Sequence, residues 1–321
     1  EGQAGADARL REVLGQLYDE PPAAARRLRA VPADLTAPGL GLSSADRSDL
    51  AACVTRVVHC AATISFTLPL AQARETNVEG TRRVLDLARE MPRLERVVHV
   101  STAFVAGRAE GRFHETDLDV GQRFRNTYER TKAEAEHVVA ESGLPAVVVR
   151  PSIVVGESDS GWTTAFNVVY WPLQAFARGL LGEVPADPNG VVDLVPVDRV
   201  AELLVAAAFD PAATGTLHAV AGEHALRVRD LASQASETLK RPPPALRAPQ
   251  RPDGDAIGSV LAPYFDVHVT FDDRRAAALR PPPAEAFATL VRTIVDYAQA
   301  ARWGKRPLTR QAARARIAAA Q

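Results

Sequence analysis

Short apolar segments alternate with amphipathic helical patterns through the first half of the chain. The apolar segments are RVVHCAATI (56–64), RVVHVSTAFV (96–105) and PAVVVRPSIVVG (145–156), and helical patterns occupy 69–90 and 126–142 between them. Strands that are apolar on both faces need cover on both faces, which the intervening helices can provide. The alternation therefore predicts a doubly wound α/β fold built on a parallel sheet.

Apolar periodicity extends this prediction to the rest of the 321 residues. The further predicted elements are a helix over 7–18, a short strand over 28–35 that ends in an acid, a strand and helix over 191–208 and a helix over 284–303. The segment 161–181 is apolar and rich in aromatic residues, and 241–254 is a Pro-rich connector. The chain ends in a basic tail, for which a solvated end is favoured over a docking role. We expect a Rossmann-like domain over 1–156, to which 191–210 returns. A smaller, mostly helical substrate-binding or capping region is expected over 157–321.

Composition excludes several classes of partner. The 38 Lys and Arg residues are balanced by 39 Asp and Glu residues, so no global charge attracts nucleic acid or an anionic membrane. The apolar runs are too short for a membrane span. The only two cysteines, Cys53 and Cys60, are predicted to be buried free thiols, and the 7 scattered histidines suggest no metal site. We expect a cytoplasmic protein.

The segment NTYERTK (126–132) places a phenol and an ammonium one helical turn apart, at Tyr128 and Lys132. An ammonium near a phenol favours the phenolate, which suits general acid–base work on a carbonyl oxygen. The alternative is a surface pair on a charged helix. Thr102 and Ser101 follow the strand before this helix, where ligands bind in open α/β sheets. Hydroxyls that only cap backbone groups are the alternative there.

Five motifs, in this order and spacing, carry a family resemblance: HCAATISF, TNVEGT, VSTAFV, YERTK and VVRPSIVVG. Over about residues 28–210 the chain resembles an extended short-chain dehydrogenase/reductase. Within that superfamily it is most similar to the fatty acyl-CoA reductase and thioester reductase group, also called male-sterility-like.

The resemblance implies a role for each matching residue. Tyr128 would donate a proton to the carbonyl oxygen, Thr102 would orient that oxygen, and Lys132 would hold the nicotinamide ribose and lower the pKa of Tyr128. The other cofactor contacts implied are Asp34, Leu35, His59, Ala61, Ala62, Asn77, Ser101, Pro151, Ser152 and Ile153. Several of them also have a purely structural interpretation. His59 and His99 could be strand histidines with satisfied hydrogen bonds, and Asn77 could bond neighbouring backbone. Asp34 could be a cap or turn residue.

The family's Gly-rich turn, which binds the pyrophosphate, has no counterpart in this sequence. We therefore expect an N-terminally incomplete Rossmann-like fold that lacks its first strands, folds poorly when expressed alone and does not bind a dinucleotide tightly. NADP is the cofactor implied by the resemblance, with NAD as the alternative.

The implied function is NADPH-dependent reduction of an acyl thioester, presented by CoA or a carrier, to an aldehyde or alcohol. The acyl pocket would be formed by Phe104 and by aromatic residues of 161–181, namely Trp162, Phe166 and Tyr170, with Trp171 and Phe176; packing of a lid helix is the alternative for them. The rival functions are an alcohol or sterol-type dehydrogenase and a non-catalytic cofactor-binding relative. A sugar-nucleotide epimerase is disfavoured because 161–181 is apolar and offers few cations. Upstream domains of a longer polypeptide are possible partners.

Overall fold

A computed structural model describes residues 2–166, 168–247, 262–281 and 284–318. Its main sheet has four parallel strands in the order β1–β2–β4–β9. The described strands are β1 (Arg56–His59), β2 (Arg96–Val100), β3 (Gly111–Phe113), β4 (Ala146–Pro151), β5 (Ile153–Val155), β6 (Glu183–Pro185), β7 (Val191–Val192), β8 (Leu194–Pro196), β9 (Gly215–Ala219), β10 (Leu226–Arg227), β11 (Ala245–Arg247) and β12 (Val269–Phe271). The predicted parallel sheet is confirmed.

Helices cover both faces of this sheet, as the alternation predicts. The described α-helices are α1 (Gln3–Leu17), α2 (Ser44–Cys53), α3 (Leu70–Arg74), α4 (Gly80–Arg89), α5 (Thr127–Ala140), α6 (Tyr170–Ala177), α7 (Val197–Phe209), α8 (Val228–Leu239), α9 (Arg274–Leu279), α10 (Ala284–Ala288), α11 (Leu290–Ala300) and α12 (Arg310–Ala318). A single π-helical turn, Glu75–Glu79, joins α3 to α4, so the helix predicted over 69–90 is present.

The pleat of each strand divides its valines between two cores. Val97 and Val148 pack with α4 and α5, whereas Val98 and Val147 pack with α7 on the opposite face. All four are at most 8% exposed. Full burial of such a side chain contributes about 1.5–3 kcal/mol. Unbroken runs of valine are therefore what a sheet covered on both faces requires.

The strand predicted over 28–35 is wrong. Residues 28–34 form no strand, and the backbone N–H of Asp34 instead donates to the Leu40 carbonyl at 2.9 Å. An extended segment becomes a strand only beside a neighbour that completes its hydrogen bonds. In the described part of the chain β1 pairs with β2 alone, and Val58 on β1 is 46% exposed.

The second region combines helices with short two-stranded sheets. One of these, β12 with β3, attaches the region to the first half, and the helix predicted over 284–303 is divided into α10 and α11. Helix occupies only Tyr170–Ala177 of the segment 161–181. The Pro-rich connector over 241–254 lies partly outside the described residues. Within the described ranges, no helix is long and apolar enough to cross a membrane.

The basic tail is docked, contrary to the solvated end favoured from sequence. Arg310 and Arg314 of α12 both pair with Glu157, whose side chain is 2% exposed, and the Nε of Arg314 lies 3.1 Å from Glu157 Oε2. Thr309 donates to Asp19, just after α1, at 2.6 Å. A buried carboxylate needs compensating charge, which these arginines supply. Composition alone cannot reveal that partner.

Both cysteines are exposed, which contradicts their predicted burial. Cys53 is the last residue of α2, and Cys60 directly follows β1 at the one-sided edge of the sheet. Their apolar sequence context suggested a core position. None of the residues of α2 is buried, however, and Cys60 lies just beyond the end of its strand.

Candidate active site

A cavity of about 830 Å³ opens beyond the carboxyl ends of β2 and β4. Its walls are mainly apolar, and none of the described residues that line it carries a formal charge. They are Ala62, Thr63, Ile64, Ser65, Phe66, Thr67, Thr102, Phe104, Tyr128, Ser152, Ile153, Val154, Val168, Trp171 and Tyr264. Ligands of open α/β sheets bind at this end of the strands, so the cavity is the candidate active site.

The start of α5 places Tyr128 in this cavity. Asn126 is the N-cap of the helix, and its side chain accepts a hydrogen bond from the backbone N–H of Glu129 at 2.9 Å. Burial raises the pKa of Tyr128 to about 12, and its side-chain hydrogen bond with Thr102 acts in the opposite direction. Tyr128 is therefore a neutral phenol at neutral pH, able to donate a proton.

Thr102 reaches the same cavity from the end of β2. Its hydroxyl donates to the Pro151 carbonyl at 3.3 Å and accepts from the backbone N–H of Phe104 at 3.3 Å. The second bond caps a short 3₁₀ turn, Ala103–Ala106. The capping role that was the alternative for Thr102 is thus present. Thr102 also lines the same cavity as Tyr128 and acts to lower the pKa of that phenol. The structure therefore brings the predicted catalytic phenol and hydroxyl to one cavity.

Lys132 is buried and faces the sheet. Its ammonium donates to the Val100 carbonyl at 2.7 Å and lies 3.4 Å from His99 Nε2. Burial lowers the pKa of Lys132 to about 8. Burial dominates the pKa of Tyr128, with smaller contributions from Thr102 and Glu129. Both contacts of the Lys132 ammonium named above are with β2, and its effect on the pKa of Tyr128 stays a prediction.

His99 and His59 lie opposite each other on paired strands, with ring centroids 5.4 Å apart. Burial lowers the pKa of His59 to about 4 and that of His99 well below its usual value, so both are neutral at neutral pH. His99 Nδ1 has no hydrogen-bond partner in the described part of the chain. The identical sequences Arg-Val-Val-His at 56–59 and 96–99 are a signal that could have predicted this pairing.

Asn77 holds the loop that forms one wall of the cavity. Its side chain accepts from the Thr63 backbone N–H at 2.8 Å and donates to the Thr63 carbonyl at 3.1 Å and to Thr131 at 3.0 Å. Nearby, Thr81 lies 3.1 Å from His59 Nε2. The structural alternative for Asn77, bonding of neighbouring backbone, is present, and a cofactor contact stays a prediction.

The other predicted cofactor residues are divided between two places. Ala62, Ser152 and Ile153 line the cavity, and the buried Ser101 and Pro151 adjoin it at the ends of β2 and β4, whereas Ala61 is exposed. Asp34 and Leu35 line a separate surface cavity of about 580 Å³. There Asp34 accepts from the N–H and hydroxyl of Thr36 at 2.8 and 2.7 Å, which lowers the pKa of the carboxyl.

Of the six aromatic residues predicted to form the acyl pocket, Phe104 and Trp171 line the cavity. Trp162 instead packs with Tyr297 and donates to the Leu308 carbonyl at 3.0 Å. The hydroxyl of Tyr170 accepts from the Gly156 N–H at 2.9 Å, and Phe166 packs on Tyr170. These three aromatic residues pack within the fold, as the alternative to a pocket role predicted.

The aromatic lining comes instead from Phe66, Trp171 and Tyr264 beside Phe104. Trp171 was among the aromatic residues of 161–181, and Phe66 belongs to the quoted HCAATISF motif, so the sequence carried some signal for both. Tyr264 is far from every motif, and the sequence carried no signal for it.

Elsewhere, Asp187, Asp266 and His268 bring three possible metal-ligand atoms within 4.8 Å of one another. The absence of a metal site stays a prediction.

Comparison with known proteins identifies relatives of this fold and sequence. An NAD-binding domain model described as Male sterility protein matches residues 2–204. Fatty acyl-CoA reductase 1 of Xenopus laevis is 35% identical over 229 residues, which cover 62% of this chain and 44% of that protein. The Homo sapiens protein of the same name is 34% identical over 237 residues, 63% of this chain and 46% of its own length. The chain thus spans less than half the length of these curated relatives.

Solved structures share the fold. The terminal R domain from the myxalamid PKS-NRPS biosynthetic pathway superposes with a TM-score of 0.78 at 23% identity, covering 96% of this chain and 84% of that one. MoeE5 in complex with UDP-glucose and NAD gives a TM-score of 0.64 at 22% identity, covering 93% and 95%. The resemblance predicted from the motifs is confirmed, and the chain belongs to the Male sterility protein family.

Proposed function

We propose that this chain is the reductase domain of an enzyme that reduces an acyl thioester with a nicotinamide cofactor, NADPH in the first instance. The observation that carries the proposal is that Tyr128 and Thr102 line one uncharged, largely apolar cavity. The names of the relatives, fatty acyl-CoA reductases and a terminal R domain, support the acyl substrate.

The donor set at the ends of β2 and β4 fits the nicotinamide end of such a cofactor. Ser101 Oγ, on a residue 5% exposed, has no hydrogen-bond partner within the described ranges, although buried polar groups are nearly always paired. Ser101 and Lys132 would contact the ribose, and Pro151 to Ile153 would lie along the ring. When bound, the cofactor would supply hydride to the carbonyl carbon.

The side chains of this chain would manage the oxygen and its proton. Thr102 would hydrogen-bond the carbonyl oxygen and Tyr128 would give it the phenolic proton, so that charge is neutralised as it develops. The apolar walls strengthen both interactions by excluding water. Collapse of the resulting hemithioacetal would release an aldehyde and a free thiol, and a second reduction would give the alcohol.

The apolar lining favours an acyl group over a sugar nucleotide. The described cavity lining has no Lys or Arg, so the diphosphate of CoA, of the cofactor or of a sugar nucleotide would have to lie outside it. Phe66, Phe104, Trp171 and Tyr264 offer apolar surface that suits a hydrocarbon chain. The proposal therefore follows the acyl reductases among the relatives and not the sugar-nucleotide complexes.

The test is turnover of acyl-CoA thioesters with NADPH by the full-length protein, with detection of the free thiol and the aldehyde or alcohol. Thr102→Val, which keeps the shape and removes the hydroxyl, should lower kcat/KM by about 10²-fold. Tyr297→Phe is the matched control, because Tyr297 lies outside the cavity and its hydroxyl bonds the Thr163 carbonyl at 3.3 Å. Failure to turn over any thioester would contradict the proposal.

A further inference from the structure

We propose that Tyr264 couples the substrate cavity to the catalytic helix: its ring is a wall of the cavity, and its hydroxyl closes the cap of α5. This inference rests on the proposed function and assigns Tyr264 two roles in it, as a positioning residue for Tyr128 and as a determinant of acyl specificity. Tyr264 lies in a short 3₁₀ turn, Ala262–Phe265, of the second region.

Two hydrogen bonds hold the N-terminus of α5. Asn126 accepts from the Glu129 backbone N–H at 2.9 Å, and the Glu129 carboxylate accepts from the backbone N–H of Arg125, the residue before the cap, at 2.8 Å. The first of these bonds satisfies a donor that the first helical turn leaves free. The amide of Asn126 donates to the Tyr264 hydroxyl at 2.8 Å. Tyr264 therefore bonds the side chain that caps the helix.

Most of this arrangement is buried, which limits replacement of the hydroxyl by water. Glu129 is 0% exposed, Tyr264 is 3% exposed, and the Arg125 side chain is 3% exposed. Removal of the hydroxyl would leave the Asn126 amide without this partner. Tyr128 lies between Asn126 and Glu129 in the first turn of α5, so a loosened cap displaces the phenol from its position in the cavity.

The ring of Tyr264 faces the cavity on the other side. Its centroid is 5.1 Å from that of Phe66, nearly stacked at 27°, and 5.1 Å from that of Phe104, edge-on at 84°. Phe66 in turn lies 5.9 Å from the Tyr128 ring. A chain that fills the cavity therefore contacts a ring whose hydroxyl is bonded to the catalytic helix. Different substitutions of Tyr264 can remove the hydroxyl alone or the ring as well.

Tyr264→Phe keeps the wall and opens the cap. We expect kcat for acyl-CoA reduction to fall about tenfold, with KM within about twofold of wild type. Tyr264→Leu also removes the ring, so KM should rise and the preference among short-, medium- and long-chain acyl-CoA thioesters should change. Tyr297→Phe, which removes a hydroxyl from an equally buried tyrosine outside the cavity, should leave both constants within about twofold.

A readout without turnover separates this inference from the proposed function. Hydrogen exchange of the backbone amides in the first turn of α5 should be faster in Tyr264→Phe than in wild type and unchanged in Tyr297→Phe. A wild-type chain that reduces no thioester would overturn the proposed function, and the exchange comparison would still test the cap. Unchanged exchange would overturn the coupling.

The kinetic outcomes are equally decisive. A kcat of Tyr264→Phe within twofold of wild type, or a loss confined to KM, would overturn the positioning role. If Tyr264→Phe does not fold, Asn126→Ser carries the test, because serine keeps a capping oxygen and removes the amide that donates to Tyr264. We expect about a threefold loss of kcat there, and wild-type kcat would overturn the coupling.

Discussion

Replacing the buried Lys132 with methionine should stabilise the fold at neutral pH while it abolishes activity. The Lys132 ammonium is held in a residue that is 3% exposed, and burial lowers its pKa from 10.5 to about 8. One pKa unit corresponds to 1.36 kcal/mol, so the charged form costs the folded state about 3 kcal/mol relative to the unfolded chain. Methionine has a similar length and no charge to bury.

Two smaller effects adjust this figure. The variant loses the hydrogen bond to the Val100 carbonyl, 2.7 Å long, which is worth about 1 kcal/mol. Methionine keeps most of the packing of the lysine stem, so no cavity contribution is expected. The net expectation is that Lys132→Met raises the free energy of unfolding by about 2 kcal/mol at neutral pH.

The pH dependence has a defined sign. Between about pH 8 and 10.5 the unfolded lysine binds a proton that the folded one has released, so wild-type stability from this group rises with pH. The cost of the charge falls from about 3 kcal/mol at neutral pH to about 1.5 kcal/mol near pH ~9.5. The advantage of Lys132→Met should shrink by the same amount.

The assay is denaturant unfolding of the full chain at the two pH values. Lys305→Met is the matched control, because Lys305 is exposed and its replacement should change the free energy of unfolding by less than about 0.5 kcal/mol at either pH. A Lys132→Met variant less stable than wild type at neutral pH, or an advantage that does not change with pH, would refute the reasoning.

Two further predictions concern buried charges next to the site. Glu136→Gln should lower the free energy of unfolding by about 3 kcal/mol, because Arg150, which lies 2.7 Å from Glu136, is left buried without its counter-charge. Urea unfolding measures this loss. The double variant Glu136→Met with Arg150→Met should recover most of it. Burial raises the pKa of Asp193 from 3.8 to about 6, so the folded state binds a proton more tightly and stability from this group falls as pH rises through that interval. Asp193→Asn should remove this fall in urea titrations across the interval, and an unaltered slope would contradict the assignment.

Local signals predicted the catalytic helix well. The helix predicted over 126–142 is Thr127–Ala140, with Asn126, a residue type favoured at this position, as its N-cap. Apolar runs likewise located β2 and β4. These features depend on hydrogen bonds and burial patterns within a few residues, which a single sequence displays directly.

The failures depended on distant partners. Residues 28–35 have strand composition, but the described part of the chain offers them no strand to pair with. The tail arginines are held by Glu157, which is far from them in sequence. Trp162 and Trp171 are both aromatic residues in one apolar segment, yet only the second lines the cavity. Tyr264 follows Tyr128 by more than a hundred residues, and no periodicity connects them.

The most direct test of the account is single-turnover oxidation of NADPH by an acyl-CoA thioester in wild type and in Tyr128→Phe. Phenylalanine keeps the ring that packs beside Phe66 and removes only the proton donor. The account predicts that the rate of cofactor oxidation falls by at least about 10²-fold, while the Kd for NADPH stays within about twofold. A rate within about threefold of wild type would contradict the claim that Tyr128 supplies the proton.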